Sequence, residues 1–338
     1  MPLPLSSPLG AARLPRLHPV LPGLALCAAI ALAAIGLQRA LGITALSPLI
    51  LAMGLGMALR NLVPLPLHHL APGAGFCIRR LLRLAVILLG AQLTFAQVAS
   101  LGWQGIVTVT ACLALTFLFT LWMGRRLGID PQLTQLIAAG TSVCGASAVI
   151  ATNTVTRGSD EDVAYAIACV TVFGSLSMIS YPLVLHLTQM APQAYGLWSG
   201  ATIHEVAQVM GTAFQGGDAA GQTGAIAKLG RVILLAPLIL TLGAATGRGK
   251  PSTARAPIPW FVFGFLALVL VNTLWPIPAA LAQPVKTATT ALMTLALAAM
   301  GLETDVRRLR AKGLKPLALG AAAWVFISGL GLLLTLTL

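Results

Sequence analysis

Charged residues are scarce in this sequence. Only 9% of the 338 residues are Asp, Glu, Lys or Arg, whereas a soluble domain carries about 25%. The 21 Lys and Arg and the 8 Asp and Glu cannot cover the water-facing surface of a chain this long. Because 57% of the residues are hydrophobic, we predict an integral membrane protein that has the lipid bilayer as its main partner.

Several functional motifs are also missing. The net charge of +13 would favour nucleic acid as a partner only on a solvated basic face, and here the cations are scattered between apolar runs. The sequence contains no G-x-S-x-G, H-E-x-x-H or G-x-x-x-x-G-K motif. We therefore expect no nucleic-acid partner, no enzyme activity, no cofactor and no nucleotide-driven pump.

Cysteine and histidine patterns are equally sparse. Five cysteines are an odd number, most of them lie in apolar runs, and no C-x-x-C pair occurs. The five histidines lack metal-ligand spacing. We expect neither a disulfide framework nor a metal site.

Long apolar runs dominate what remains. A hydrocarbon core of about 30 Å needs about 20 apolar residues per helix, and cutting the chain at charges, Pro and Gly-rich turns gives eleven candidates. They are 20–37, 46–59, 81–98, 103–123, 131–152, 163–187, 195–214, 224–245, 257–274, 287–304 and 314–338. The predicted fold is a single all-α polytopic membrane domain, residues 1–338, with about 11 (range 9–11) transmembrane segments.

The N-terminal segment has two interpretations. Residues 1–19 form a predicted cytoplasmic tail with Arg13 and Arg16, followed by the first span. Ala31-Leu-Ala33 has the form of a signal-peptidase site, so a cleaved signal peptide is the alternative. We favour an uncleaved helix because further spans follow.

The distribution of cations predicts the orientation. With a cytoplasmic N-terminus and eleven crossings, sixteen of the 21 Lys and Arg lie inside. Only Arg39, Arg157 and Lys286 lie outside, and Lys228 and Arg231 lie within a span. This asymmetry predicts a multi-pass membrane protein with its N-terminus in the cytoplasm.

Two internal matches indicate an inverted repeat of the kind found in transporters. At a separation of 211 residues, the segment from Leu81 to Gly102 matches the segment from Leu292 to Gly313. At a separation of 60, residues 140–152 match residues 200–212. The second pair conflicts with inversion, because one span between them makes them parallel. Either the likeness is convergent, or one segment is re-entrant.

The segment Gly140-Thr-Ser-Val-Cys-Gly-Ala-Ser147 lies inside an apolar run. Two glycines and three hydroxyls at this depth favour a broken helix, whose free N–H groups could bind an anion without a fixed cation. The alternative is close helix packing through small residues. The candidate substrate-binding residues are Gly140, Thr141, Ser142, Cys144, Gly145 and Ser147.

The segment 195–214 is the second candidate for a broken or re-entrant helix. It carries His204, Glu205 and Gln208, and the four-residue spacing places His204 and Gln208 on one helical face. Ionisable residues at membrane depth are usually functional, so these three are candidates for proton coupling or substrate contact. The alternative is a short segment at the interface, with His204 and Glu205 in water.

Three further charged groups have simpler interpretations. Lys228 and Arg231 lie three residues apart, and we favour snorkelling to the outer interface over an anion pathway. Glu303 and Asp305 precede three arginines and indicate a solvated cytoplasmic cluster. The alternative for Glu303 is a position in the core, because it matches Gln92 in the repeat. Ser159-Asp-Glu-Asp162 predicts a helix N-cap with acidic residues in its first turn.

Gly140-Thr-Ser-Val-Cys-Gly-Ala-Ser-Ala and Ile203-His-Glu-Val-Ala-Gln-Val, in this order and spacing, resemble the YeiH-like sulfate exporter family of bacterial inner-membrane proteins. The resemblance covers the chain from about Leu46 onward. This family is grouped with the cation/proton antiporter and bile-acid symporter superfamily. The resemblance implies a panel domain, a core domain and two helices broken where they cross, and it implies sulfate as a substrate.

Together these observations predict a secondary transporter that exports a small inorganic or organosulfur anion such as sulfate or sulfite, with or without a coupled proton or sodium ion. The alternative is a sodium/proton exchanger or an anion channel of the same architecture. The sequence does not decide whether the protein forms a homo-oligomer.

Overall fold

The computed structural model describes residues 19–41, 47–245, 259–310 and 312–337. Within these ranges the secondary structure is entirely helical. The predicted tail 1–19, apart from its last residue, and the cations Arg248, Lys250 and Arg255 lie outside the described residues. The helices are α1 (Leu21–Leu41), α2 (Pro48–Leu62), α3 (Leu67–Phe76), α4 (Leu82–Gly90), α5 (Phe95–Ala99), α6 (Gly102–Leu127), α7 (Pro131–Ser142), α8 (Ala146–Thr156), α9 (Asp160–Thr188), α10 (Pro192–Thr202), α11 (Val206–Ala213), α12 (Asp218–Ile233), α13 (Leu235–Ala245), α14 (Trp260–Leu274), α15 (Ala279–Glu303) and α16 (Leu314–Thr337).

Six helical stretches of the described chain are long and apolar enough to cross a membrane. The predicted all-α membrane class is therefore confirmed. Two shorter apolar helices, α2 and α14, accompany them. The six stretches are Leu21–Leu41, Gly102–Leu127, Asp160–Thr188, Asp218–Ala244, Ala280–Glu303 and Leu314–Thr337.

Local capping signals start the central helices. The Ser159 hydroxyl accepts a hydrogen bond from the Asp162 amide at 3.1 Å, and the Asp162 carboxylate accepts one from the Ser159 amide at 3.1 Å. This reciprocal pair and the first-turn acids confirm the predicted N-cap of α9. The Asp130 carboxylate caps α7 by accepting hydrogen bonds from the Gln132 and Leu133 amides, directly before Pro131.

α7 and α8 form a hairpin, which we call the first hairpin, with residues 143–145 as its tip. Gly140 near the end of α7 packs against Val149, and Leu136 one turn earlier reaches Gly158 beyond the end of α8. A helix that ran straight on would separate Leu136 from Gly158 by about 33 Å at 1.5 Å per residue. The two halves therefore run antiparallel.

α10 and α11 form the second hairpin, with residues 203–205 as its tip. The hydroxyl of Tyr195, near the start of α10, donates to the Thr212 carbonyl near the end of α11 at 3.3 Å. The ring of Tyr195 also lies against Gly216. Both ends of this segment therefore lie at the same level. The resemblance implied two helices broken where they cross, and the structure instead folds each segment back on itself.

The two hairpins open towards opposite ends of α9. The first hairpin is followed by the start of α9, and the second hairpin follows its end. α9 has 29 residues and a length of about 43 Å. Gln208, just beyond the second tip, contacts Gly174 in the middle of α9. The expectation that 140–152 and 200–212 run parallel was wrong, because neither segment runs straight through.

Most of the described cations gather at one end of the bundle, which we call the basic end. Arg125 and Arg126 end α6, and Arg157 follows α8. Lys312 lies there too, since it is paired with Asp162 at the start of α9. The prediction that placed Arg157 outside, opposite Arg125, was wrong because the first hairpin returns to the end from which it enters. Lys286, paired with Asp218 at 2.7 Å, lies at the opposite end.

A wall of α2, α4, α14 and α15 faces the hairpins. α2 and α15 run side by side, because the backbone of Gly301 fits against Met53 and Gly56 where a side chain would collide. Arg60 at the end of α2 pairs with Asp305 just beyond α15 at 2.8 Å. α15 runs antiparallel to the α3–α4 segment, with Gln92 hydrogen-bonded to Thr289 at 3.1 Å and Cys77 in one cluster with Leu302.

Candidate functional site

The tips of the two hairpins meet beside the middle of α9. An oxygen of the Glu205 carboxylate, in the second tip, accepts a hydrogen bond from the Ala146 amide at 2.5 Å. Ala146 is the first residue of α8, directly after the first tip. Gly145 makes this contact possible, because its φ is +66° and a Cβ there would lie 1.9 Å from the carboxylate.

Lys228 fills one side of this junction. Its Nζ donates to the carbonyl oxygens of Val143 at 2.7 Å, Ile203 at 2.8 Å and His204 at 2.6 Å. The side chain is fully buried. An ammonium group has three N–H donors, and each of them has a partner in the tips.

Arg231 lies one turn further along α12 and is also fully buried. Its guanidinium donates to four carbonyl oxygens at the ends of α7 and α10, which have no partner within their own helices. They belong to Thr141 at 2.9 Å, Ser142 at 3.1 Å, Gly200 at 3.3 Å and Ile203 at 2.8 Å.

The prediction that Lys228 and Arg231 snorkel to the outer interface was therefore wrong. α12 packs closely against α10 where Gly196 meets Ala220 and Gly200 meets Gly224, so no side chain separates the helices. This close approach directs Lys228 and Arg231 of α12 at the C-terminal ends of α7 and α10. The structure therefore places two fixed cations next to the tips, where the sequence predicted none.

The other side of the junction offers amides instead of carbonyls. α8 and α11 begin there, so both point the positive ends of their dipoles at the tips. The Glu205 amide donates to the side-chain oxygen of Gln208 at 3.1 Å. The Gln208 amide group donates in turn to the Thr171 carbonyl of α9 at 3.1 Å, which ties the second tip to α9.

His204 is buried in the second tip, with 1% of its surface exposed. Neither ring nitrogen has a hydrogen-bond partner among the described residues. His204 precedes the start of α11 at Val206, so the expectation that it shares a helical face with Gln208 was wrong.

A cavity of about 690 Å³ reaches the amide side of the tips. Cys144, Ala146, Ser147, Glu205 and Val206 line its inner end. Towards the basic end it is lined by Arg60, Arg79, Arg83, Arg308 and Glu303. Side chains from α3, α4, α9, α14 and α15 form mostly apolar walls between these two parts.

The charges around the cavity favour an anion. Four arginines and one glutamate line it towards the basic end, where Arg60 is also paired with Asp305. Glu205 lines its inner end, and the buried Lys228 and Arg231 of α12 lie behind the tips without lining it. The low dielectric constant of the protein interior strengthens the electric fields of these charged groups. Among the described residues, no group of three or more His, Cys, Asp or Glu side chains could hold a metal ion.

The predicted site residues separate into two groups. Cys144, Ser147 and Glu205 line the cavity. The others lie behind it: the carbonyls of Thr141 and Ser142 bind Arg231, and Gly140 packs against Val149 and Val170. Gly145 positions Glu205, and Gln208 is buried against α9.

Sequence reasoning missed the cavity arginines and the role of the buried cations. One signal was the spacing of Arg79 and Arg83, four residues apart, which places them on one helical face. Another was the presence of two cations within the Gly- and Ala-rich segment Asp218–Ile233. The Ala146 amide gave no sequence signal, because any residue other than proline supplies that group.

The fold and the site together define a polytopic, all-helical membrane protein with two hairpins that meet at a charged junction. The chain belongs to the family whose model is described as "Conserved hypothetical protein 698", which matches residues 22–320. The resemblance to YeiH-like proteins is confirmed. No solved structure gives a significant match.

Two relatives illustrate the breadth of this family. The chain is 40% identical to the "UPF0324 membrane protein PA5383" of Pseudomonas aeruginosa, covering 95% of each chain. It is 37% identical to the "UPF0324 inner membrane protein YeiH" of Salmonella typhi, covering 91% of this chain and 92% of the relative. Both names describe membrane proteins.

Proposed function

We propose that this protein is a secondary transporter that exports a small anion, such as sulfate, sulfite or a related sulfur-containing anion. The observation that carries the proposal is the junction of the tips, where the first residues of α8 and α11 line a cavity of about 690 Å³ and two fully buried cations lie behind them on the carbonyl side. Helix N-termini and fixed cations are common means of binding anions in a low-dielectric setting.

The topology we propose has nine crossings and two re-entrant hairpins. The crossings are α1, α2, α3 with α4, α6, α9, α12 with α13, α14, α15 and α16. The first hairpin with α9 and the second hairpin with α12 and α13 are then inverted copies, which fits the sequence match at a separation of 60. The basic end is cytoplasmic by the positive-inside rule, and so is the N-terminus.

The anion is proposed to bind on the amide side, next to Ala146 and Ser147. Glu205 holds the Ala146 amide in this structure, so its carboxylate occupies the position that an anion would take. Displacement of the carboxylate by a substrate anion would leave Lys228 and Arg231 as the nearest charges. Arginines towards the basic end would raise the local anion concentration before binding.

Export fits both the geometry and the electrical gradient. The cavity extends from the tips towards the basic end, where a cytoplasmic anion would enter. With the cell interior negative, outward movement of each negative charge lowers its free energy by about 2.3 kcal/mol per 100 mV. A proton coupled through His204 and Glu205 stays a prediction.

The alternative, a sodium/proton exchanger or an anion channel, has less support. Free carbonyls at broken helices are the usual ligands of a transported cation, and here Lys228 and Arg231 occupy them. The described residues that line the cavity lie between the tips and the basic end, and none of them comes from the opposite end, where Lys286 lies. An open channel would need an opening at that end as well.

Flux through proteoliposomes tests the proposal. Vesicles would be loaded with labelled sulfate, sulfite, thiosulfate, taurine or chloride, and release would be followed with and without a membrane potential. We expect at least one sulfur-containing anion to cross faster than in protein-free vesicles. Absence of flux for every anion, with protein shown to be folded, would contradict the proposal.

A further inference from the structure

Lys228 is bound as a free cation would be bound. All three hydrogen-bond partners of its ammonium group are backbone carbonyl oxygens, at 2.6–2.8 Å, and none is a carboxylate. Two of them come from the second tip and one from the first. The ammonium therefore joins the two hairpins through a shell of neutral oxygens.

The shell exists because two helices end there. α7 and α10 each leave carbonyl groups without an intrahelical partner, and both helices place the negative ends of their dipoles at the tips. Burial makes an unsatisfied carbonyl costly, so a hydrogen-bond donor or a cation must occupy this position, and the negative ends of the two dipoles favour a cation. A small monovalent cation would satisfy the same three oxygens.

Arg231 does not make Lys228 redundant. Its guanidinium binds Thr141, Ser142, Gly200 and Ile203, and only the Ile203 carbonyl is shared with Lys228. The carbonyls of Val143 and His204 accept hydrogen bonds from the Lys228 side chain. Removal of the Lys228 side chain would leave these two oxygens facing a vacated, fully buried volume.

We propose that the hairpin tips form a carbonyl-lined site for a monovalent cation, which the chain fills permanently with the Lys228 ammonium group. The protein then supplies from its own chain the positive charge that a bound ion from solution would otherwise provide at this position. One consequence rests on the proposed function: anion transport should not require sodium. The cation site itself does not rest on it.

A gain of cation binding tests the site without any transport assay. Purified wild-type protein, Lys228→Ala and Lys286→Ala would be melted in chloride salts of sodium, potassium, ammonium or N-methylglucamine at equal ionic strength. Lys286 is the control because its ammonium is exposed and pairs with Asp218. We expect Lys228→Ala to melt about 3 °C or more higher in at least one of the three small cations than in N-methylglucamine.

Wild type and Lys286→Ala should show no such difference. A wild-type melting temperature that rises with a small cation as much as that of Lys228→Ala would overturn the proposal, and so would a folded Lys228→Ala that responds to none. If Lys228→Ala does not fold in N-methylglucamine, purification in ammonium chloride should rescue it. Lys228→Gln, whose amide reaches only part of the shell, should then show the cation response.

Failure of this test and failure of the proposed function are distinguishable. Anion flux in sodium-free vesicles measures the function, whereas melting of the lysine variants measures the site. Wild-type flux should fall less than about twofold when N-methylglucamine replaces sodium on both sides. Flux that requires sodium, together with a melting response of Lys228→Ala, would reject only the consequence for transport.

Discussion

The two sides of the hairpin junction arise from the same two chain breaks, but one side is filled by buried side chains and the other borders a cavity. On the carbonyl side, Lys228 and Arg231 donate seven hydrogen bonds to the ends of α7 and α10 and are fully buried. On the amide side, Glu205 holds the Ala146 amide and a cavity reaches the tips. The comparison teaches that the chain completes one side itself and keeps the other accessible. Structure should depend on the first side and ligand binding on the second.

The largest effect is expected from Arg231→Met, which breaks the carbonyl side. Four carbonyl oxygens would lose a donor, and only that of Ile203 would keep a side-chain donor, from Lys228. Each buried, unsatisfied group costs about 1–3 kcal/mol. We expect loss of folded protein, or a melting temperature lowered by at least about 4 °C, the result of about 3 kcal/mol in a chain this size. Thermal melting of purified protein measures it.

Arg126→Met is the matched control, because Arg126 lies at the basic end, partly over the ring of Trp122. It should melt within about 2 °C of wild type, since exposed substitutions change stability by about 0.5 kcal/mol or less. Equal melting of the two variants would show that the carbonyl side does not support the fold.

A second large effect is expected from Gly145→Ala, which acts on the amide side. Its Cβ would lie 1.9 Å from the Glu205 carboxylate, so Glu205 must leave the Ala146 amide. We expect anion flux to fall at least tenfold, because the added Cβ would occupy the space beside the Ala146 amide where the anion is proposed to bind. Gly128→Ala is the control for a positive φ: its φ is also +66°, and a Cβ there meets nothing within 4 Å. Gly128 has a ψ of 35° and Gly145 a ψ of −131°, so Gly145→Ala also carries the greater backbone strain. Equal flux in the two variants would contradict a role for the tip contact.

Glu205→Gln tests whether the carboxylate on the amide side competes with the anion, because it replaces that carboxylate with a neutral amide. If Glu205 occupies the position of the substrate, the neutral amide should compete less well with an anion. We expect the dissociation constant of the transported anion to fall by about fivefold, equivalent to roughly 1 kcal/mol. Equilibrium binding to purified protein measures it, with the exposed Glu161→Gln as control. Weaker binding by Glu205→Gln would show that the carboxylate supports the substrate.

The smallest effect is expected at the outer part of the cavity. Arg79 lines the cavity, whereas the neighbouring Arg80 does not. Arg79→Gln should raise the KM for the anion about two- to threefold at low salt, and the difference should shrink at high ionic strength because screening weakens steering. Arg80→Gln should match wild type. Equal effects of the two variants would indicate that the net surface charge attracts the anion, and not the arginines that line the outer part of the cavity.

Much of the fold could be predicted from the sequence. Apolar runs and scarce charge gave the all-helical membrane class, and Ser159 with Asp162 gave the start of α9. Gly140 to Gly145 marked one chain break, since glycines and hydroxyls are poor continuous helix at membrane depth. These features are local, and local pattern determines them.

The direction in which each break turns could not be predicted. A broken helix that continues and one that folds back have the same composition. The difference lies in long-range contacts such as Leu136 with Gly158 and Tyr195 with Thr212. The burial of Lys228 and Arg231 likewise depends on the close packing of α12 on α10. Hydropathy carries no information on which helix packs beside α12. From hydropathy alone, snorkelling of Lys228 and Arg231 was therefore the better inference.

The most direct test of the central claim is anion protection of a cysteine on the amide side. Ser147 is exposed and lines the cavity, and all five native cysteines are buried, so Ser147→Cys supplies a new reactive thiol. A charged, water-soluble thiol reagent should modify it, and a saturating transported anion should slow the modification at least fivefold. Arg80→Cys, outside the cavity, should react at the same rate with and without the anion. Modification of Ser147→Cys at an unchanged rate, in protein that still transports the anion, would contradict an anion site at the hairpin amides.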